Sequence, residues 1–266
     1  MLFPDQETLQ RNKSSVKDNS FHSANFVHAA DLETAQASNA IQEGVKMKKN
    51  FKIGLIRVLT TDNEELMNIH GRIIEENFPG LVVESKCIPD QPEGIHSHEM
   101  EQTAIPKIVE TAKSFHQPDM IIVSCADDPG VAEIRDALPG IPVTGGGEST
   151  AALATKYGDK IAILGIVDYA PKAYLRMIPE KLIAVEKPEG VNSTLDLMTD
   201  KGRAACMETA RKIKEMGAQV IAFGCTGLTT IGIAKEIEKE TGLPVIDPVL
   251  AEGLFAWFEA MRQESH

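Results

Sequence analysis

Short apolar runs recur along this chain of 266 residues, and segments long enough to form helices separate them. The first run, Lys52–Val58, precedes a helical pattern that ends near Phe78, where Pro79-Gly80 stops it. Consecutive parallel strands need a long crossover, usually a helix, so this alternation favours parallel sheets with helices on both faces. The other predicted strands are Leu81–Cys87, Asp119–Ser124, Ile141–Thr144, Lys160–Gly165, Leu182–Glu186, Gln219–Gly224 and Leu243–Asp247.

Helical patterns fill the segments between these strands. Thr61 followed by Glu64 has the spacing of a capping box and predicts the start of the first helix. The order of elements in the first half returns in the second, which predicts an α/β fold with two pseudosymmetric lobes, residues 51–147 and 148–247. The other predicted helices are Glu99–Phe115, Val131–Ala137, Glu148–Tyr157, Pro171–Met177, Asp200–Met216, Gly232–Thr241 and Pro248–Arg262.

Residues 1–50 differ from the rest of the chain. They are rich in Ser, Asn, Gln and Asp and have no sustained apolar period, so we expect a disordered N-terminal tail. The composition changes abruptly beside Met47, which leads to the hypothesis that Met47 is the physiological start. Detection of peptides upstream of Met47 in the natural protein, by mass spectrometry, would contradict that hypothesis.

The overall charge and the cysteine spacing exclude several classes of protein. A net charge of -12 is unlike the clustered Lys and Arg of a nucleic-acid-binding protein. No run approaches the roughly 20 apolar residues that span a bilayer, and the first residues do not resemble a secretory signal, so we expect a cytoplasmic protein without nucleic-acid or membrane partners. The four cysteines lack CxxC spacing, and in a reducing compartment they favour neither disulfides nor a zinc ribbon.

Two cysteines occupy matching positions in the two halves. Cys125 follows the apolar run Asp119–Ser124, and Cys225 follows Gln219–Gly224. Ligands of open parallel sheets bind beyond the carboxyl ends of the strands, so both thiols are expected at a binding site. Two similar lobes facing each other place one thiol on each side of a cleft.

A pair of thiols suits the inversion of a carbon centre beside a carbonyl, because one group removes a proton from one face and the other delivers a proton to the opposite face. Backbone N–H groups at a helix start favour the thiolate, and Asp127 and Asp128 oppose it, so we expect at least one of these carboxylates to cap its own helix instead. The alternative is that each cysteine is a small buried apolar residue, which is our interpretation of Cys87 and Cys206.

The motifs around these residues resemble the aspartate/glutamate/hydantoin racemase superfamily, and most of all its hydantoin racemase branch, over roughly residues 52–258. The resemblance implies a two-thiol mechanism independent of pyridoxal phosphate, no cofactor, a possible homo-oligomer, and a C-terminal helix, residues 248–266, that joins the first lobe. The segments that carry it are Cys125-Ala126-Asp127-Asp128-Pro129-Gly130, Pro142-Val143-Thr144-Gly145-Gly146-Gly147-Glu148, Gly224-Cys225-Thr226-Gly227-Leu228 and Ile95–Pro106 with His98.

Several residues are candidates for binding the substrate. Where that branch has Asn-Pro-Asn-Thr-Ser, this chain has Arg57-Val58-Leu59-Thr60-Thr61, so Arg57 is a candidate for binding a carboxylate. Alternatively Arg57 is a strand-end surface residue and Thr61 only caps a helix. The glycines at 145–147 are candidates for presenting amides to a substrate oxygen. The full substrate-binding set is Arg57, Thr60, Thr61, His98, Ala126, Asp127, Gly147, Glu148, Thr226 and Gly227.

His96 and His98 form an HxH pair, but no third ligand is evident nearby, so no metal is expected. The function indicated is a racemase or epimerase of an amino acid, a hydantoin or a related small carbon acid, with Cys125 and Cys225 as the acid/base groups. Two alternatives remain: a cysteine-dependent isomerase or decarboxylase of a small dicarboxylate, and a non-catalytic protein that binds a small carboxylate.

Overall fold

The computed structural model of the chain describes residues 50–264. The expected tail and the hypothesis about Met47 lie outside these residues, apart from Asn50. The first half contains β1 (Phe51–Arg57), α1 (Glu64–Asn77), β2 (Leu81–Cys87), α2 (His98–Lys113), β3 (Met120–Ser124), α3 (Val131–Ala137), β4 (Val143–Gly145) and α4 (Gly146–Ala154).

The second half continues with the same alternation of strand and helix. It contains β5 (Ile161–Leu164), α5 (Lys172–Met177), a 3-10 turn (Pro179–Lys181), β6 (Leu182–Glu186), α6 (Thr194–Leu197), α7 (Asp200–Glu215), β7 (Val220–Phe223), α8 (Gly227–Thr230), α9 (Ala234–Thr241), β8 (Val245–Ile246) and α10 (Pro248–Glu264).

The strands form two parallel sheets with the same connectivity. The first has the order β2-β1-β3-β4, and the second has the order β6-β5-β7-β8. Strands β3 and β7 therefore hold equivalent interior positions, and the loop after each has a cysteine within its first two residues, Cys125 or Cys225. Two sheets of four parallel strands flanked by helices confirm the predicted α/β fold with two pseudosymmetric lobes.

Helices cover both faces of the first sheet. On one face Ile121 and Val123 of β3 pack against Ile108 and Ala112 of α2. On the other face β1 and Ile122 of β3 pack with α10, whose Val249, Ala256 and Ala260 complete that core. This arrangement follows from the period of two along a strand, which sends successive side chains of β3 to opposite, equally apolar layers. The last helix of the chain thus packs on the first lobe.

The start of α1 differs from the sequence prediction. Asn63, not Thr61, caps this helix, because the Asn63 side chain accepts hydrogen bonds from the N–H groups of Glu65 and Leu66. The Thr61 hydroxyl instead accepts from the N–H of Asn63, 3.1 Å away, and shapes the turn before the helix. Two short helices, α6 and α8, were absent from the sequence prediction. None of the helices among residues 50–264 is long and apolar enough to cross a membrane.

Candidate active site

A cavity of about 160 Å³ lies between the two lobes, where the loops beyond β1 and β3 meet those beyond β5 and β7. Both thiols line it, so the structure brings Cys125 and Cys225 to one site from equivalent strand ends. Arg57 is the one cation and Asp127 the one carboxylate among the lining residues that the structure describes. The volume falls below the roughly 300–1,000 Å³ of pockets for drug-sized ligands, so the site suits a small molecule.

Cys225 lies almost fully buried at the start of α8. The backbone N–H of Gly227 donates a hydrogen bond of 3.3 Å to its sulfur, and the charge of Arg57 also favours the thiolate. Desolvation outweighs both effects and raises the pKa of Cys225 to about 11. The thiol is therefore protonated near neutral pH.

Cys125 is partly exposed, and its surroundings favour the thiolate less than those of Cys225 do. Desolvation raises the pKa of Cys125 well above its ordinary value, and the carboxylates of Asp127 and Asp128 raise it further. A backbone hydrogen bond at Asp127 acts in the opposite direction. Backbone N–H groups do favour both thiolates, as expected, but burial has the larger effect, so the net pKa of each cysteine is raised rather than lowered.

The two aspartates beside Cys125 cap other helices rather than their own. Asp128 accepts hydrogen bonds of 2.7 Å from the N–H groups of Gly147 and Glu148 at the start of α4. Asp127 accepts one of 3.0 Å from the N–H of Lys172 at the start of α5. The expectation that one of them caps its own helix is wrong, and α3 begins without a side-chain cap. Burial and the nearby Glu148 charge raise the pKa of Asp128 to about 7.

The glycine run does not form part of the cavity wall. The N–H of Gly147 already bonds to Asp128, so it is not available to a substrate oxygen as expected. The run instead allows the Cys125 loop to lie against α4: a Cβ at Gly146 is 2.9 Å from the Cys125 carbonyl oxygen. The N–H of Gly146 donates to that same oxygen at 3.1 Å. The glycines therefore hold the loop that presents the first thiol.

Glu148 and His98 also lie outside the cavity lining. Glu148 forms ion pairs with Arg135 and with Arg176, the latter at 3.5 Å. His98 is exposed at the start of α2, and its Nδ1 lies 3.2 Å from Glu101 Oε2. The expected substrate-binding roles of Gly147, Glu148 and His98 are thus not supported by their positions, because local partners occupy these groups.

Arg57 ends β1 and lies buried between strands, with Cys87 and Ser124 beside it in the sheet. It is 3% exposed, so the alternative of a surface residue is wrong. Its Nη1 donates to the carbonyl oxygens of Leu66, at 2.5 Å, and Met67, at 3.4 Å. Desolvation lowers the pKa of Arg57 to about 10, which leaves the group charged at neutral pH.

The predicted threonines line the cavity, but their hydroxyls also hold the surrounding loops. Thr60 Oγ1 donates to the Ile88 carbonyl at 2.6 Å and accepts from the Gln91 N–H at 2.7 Å. Thr226 Oγ1 donates to the Ser124 carbonyl at 3.4 Å and so links the two thiol loops. Thr61, Ala126 and Gly227 complete the predicted residues that line the cavity.

A buried polar chain between the lobes was not predicted from the sequence. His70 of α1 lies 2.9 Å from the Ser124 hydroxyl and 2.9 Å from the Thr230 hydroxyl of α8. Ser124 in turn donates to Glu252 of α10 at 2.9 Å. Burial lowers the pKa of His70 well below its ordinary value, so the imidazole is neutral near pH 7, and burial raises the pKa of Glu252 well above its ordinary value. Further lining residues that sequence reasoning missed are Pro92, Ile95, Ser124, Tyr169, Leu195, Met198 and Thr230.

Similar proteins agree with this architecture. Hydantoin racemase from Paenarthrobacter aurescens is 27% identical over 154 residues, which are 54% of this chain and 62% of that protein. The matched region is thus less than two thirds of the length of that relative. Hydantoin racemase from Pseudomonas sp. (strain NS671) is 28% identical over 174 residues, 62% of this chain and 68% of that protein. The fold resembles the crystal structure of allantoin racemase from Pseudomonas fluorescens with a TM-score of 0.69 at 22% identity, over 80% of this chain and 92% of that one.

A family model described as Asp/Glu/Hydantoin racemase matches residues 65–252, which run from the start of α1 to the first turns of α10. The match includes the strands that precede both thiols and the helices that carry His70 and Glu252. The chain therefore belongs to the Asp/Glu/hydantoin racemase family.

Proposed function

We propose that this protein is a racemase or epimerase in which Cys125 and Cys225 exchange protons with opposite faces of a carbon acid. The supporting observation is that two thiols from equivalent strand ends of the two lobes line one small cavity. A stereogenic carbon held between them has one thiol on each face. Positioning of this kind removes the need to rotate the substrate between proton removal and proton return.

The surroundings of the two sulfurs support different roles for them. Cys225 has the Gly227 N–H and the Arg57 charge beside it, whereas Cys125 has two carboxylates beside it. Cys225 therefore loses its proton more readily and serves as the base for one enantiomer. Cys125 then donates its proton to the opposite face, which leaves Cys125 as the thiolate. For the other enantiomer the roles are reversed, and exchange with solvent restores the starting state.

The substrate class that fits is a small carbon acid with a carbonyl beside the reacting carbon: an amino acid, a hydantoin or a related compound. Relatives named hydantoin racemase support the second of these. The carbonyl is needed because it stabilises the negative charge that forms when the proton leaves. The cavity volume of about 160 Å³ favours a small reacting group between the thiols.

Solvent deuterium exchange tests the proposal. Single enantiomers of alanine, of 5-methylhydantoin and of N-carbamoylalanine are incubated with the enzyme in D2O, and optical rotation and deuterium content are followed together. Loss of rotation with deuterium uptake at the stereogenic carbon supports the proposal. Carbon dioxide release from a dicarboxylate such as methylmalonate supports the decarboxylase alternative, and thermal stabilisation without any exchange supports a binding protein. Cys87→Ser is the matched control, since Cys87 lies outside the cavity lining and should behave as wild type.

A further inference from the structure

The cavity contains a buried cation that forms no ion pair within residues 50–264. Arg57 takes part in none of the ion pairs within that range, although it is almost completely removed from water. A charge transferred into a protein interior without an opposite charge costs several kcal/mol. Perturbed buried charges of this kind cluster at binding and catalytic sites, so an arginine without an ion-pair partner indicates a role in binding.

No acidic group that faces Arg57 lies within ion-pair distance of it among residues 50–264. The charges that act on it belong to Cys87, Glu252 and Cys225. Burial raises the pKa of each of these groups, which favours its neutral form. Within the described part of the chain, the guanidinium donates hydrogen bonds to the carbonyl oxygens of Leu66 and Met67 alone.

Part of the guanidinium is free to bind a ligand. Both of its hydrogen bonds use Nη1, and the donors on Nε and Nη2 have no hydrogen-bond partner in the part of the chain that the structure describes. Arg57 lines the cavity beside Cys225. A guanidinium edge with free N–H groups matches the two oxygens of a carboxylate.

We propose that Arg57 binds a carboxylate of the substrate, so that the cavity prefers a small carbon acid bearing a carboxylate to a neutral ring of the same carbon skeleton. This inference rests on the proposed racemase function for its choice of substrate, but the anion site itself does not depend on the thiols. Asp127, the one carboxylate among the described lining residues, already accepts the N–H of Lys172 and is available to a substrate N–H group as well.

Binding calorimetry with two matched ligands tests the proposal. Racemic N-carbamoylalanine carries a carboxylate, and racemic 5-methylhydantoin is the neutral ring formed from it by loss of one water. Racemic ligands are already at equilibrium, so turnover does not disturb the measurement. Wild type should bind the carboxylate about ten-fold or more tightly than the ring. Arg57→Met should weaken binding of the carboxylate by about ten-fold or more and change binding of the ring by less than about three-fold. The variant Arg57→Lys should lie between them, and Arg72→Met, which alters an exposed arginine of α1, should match wild type.

Three results contradict the proposal: equal or tighter binding of the neutral ring by wild type, unchanged carboxylate binding in Arg57→Met, and binding of neither ligand. If Arg57→Met does not fold, the proposal is still tested by the affinities of wild type for the two ligands and by the carboxylate affinity of Arg57→Lys. The racemase proposal and the anion site fail independently. If the protein binds the carboxylate but does not racemise it, the anion site at Arg57 stands and the two-thiol mechanism fails. If the protein racemises its substrate but shows no preference for a carboxylate, the two-thiol mechanism stands and the anion site fails.

Discussion

The backbone N–H of Gly227 donates a 3.3 Å hydrogen bond to the sulfur of Cys225, two residues earlier in the chain. This bond arises because α8 begins at Gly227, two residues after the cysteine, so the first free N–H group of the helix points back to the thiol. Cys125 has a backbone donor at Asp127, but that residue also brings a carboxylate. The two thiols are therefore chemically unequal despite the matching folds that present them.

The rate of racemisation should rise with pH through the neutral range. Burial raises the pKa of both thiols, that of Cys225 to about 11, so the thiolate fraction grows about ten-fold per pH unit below that value. Cys125, with its raised pKa, stays protonated as the acid. Initial rates between about pH 6 and 9, with a substrate that does not ionise in this range, should show this increase. A rate that peaks below neutral pH contradicts the assignment of thiol bases.

Gly146→Ala should disturb the first thiol loop. The added methyl group lies 2.9 Å from the Cys125 carbonyl oxygen and 2.7 Å from Glu252 Oε1, so one of these groups must move. Overpacking of this kind costs about 1–3 kcal/mol of unfolding free energy and should lower racemase activity as well. Urea unfolding and activity assays measure both effects. Gly165→Ala, whose nearest neighbour is 3.7 Å away, is the control, and equal behaviour of the two variants contradicts the prediction.

His70 should make the protein less stable in mild acid. Burial lowers the pKa of His70 in the folded protein, whereas the unfolded chain takes up the proton below about pH 6.5. The unfolded state therefore binds more protons, and the free energy of unfolding falls as pH falls below that value, by at most about 2 kcal/mol between pH 7 and 5. His70→Gln should lose this component, while His116→Gln, at an exposed position, should retain it. Unfolding free energies at the two pH values give the comparison, and identical slopes for both variants would exclude His70 as the source.

Much of the fold was predictable because it depends on local pattern. The strand Leu182–Glu186 and the helix Val131–Ala137 have the predicted bounds, since turn-forming residues bracket each apolar or periodic segment. The helices α6 and α8 were missed because four residues are too few to show a helical period. The cap of α1 was misplaced by two residues because Thr61 and Asn63 are both good capping residues.

The site was predictable only in part. The position of each cysteine beyond an apolar strand indicated that both lie at the same edge of the fold, and both line one cavity. The partners of Asp128 are about twenty residues away in sequence, so local pattern carries no signal for them. The burial of Arg57 and the raised thiol pKa values depend on tertiary packing, and a strand-end arginine fits a surface equally well. His70 lies in a helix whose sequence gives no sign of a polar contact across the lobes.

The most direct test of the two-thiol account is deuterium exchange by single cysteine variants in D2O. Each enantiomer of the compound that wild type racemises is incubated separately with each variant. Cys125→Ser and Cys225→Ser should each lose interconversion by about 1,000-fold, because one face has no proton-transfer group. Each should still introduce deuterium into one enantiomer only, and the two variants should act on opposite enantiomers. Full racemisation by either variant, or exchange of the same enantiomer by both, contradicts the account.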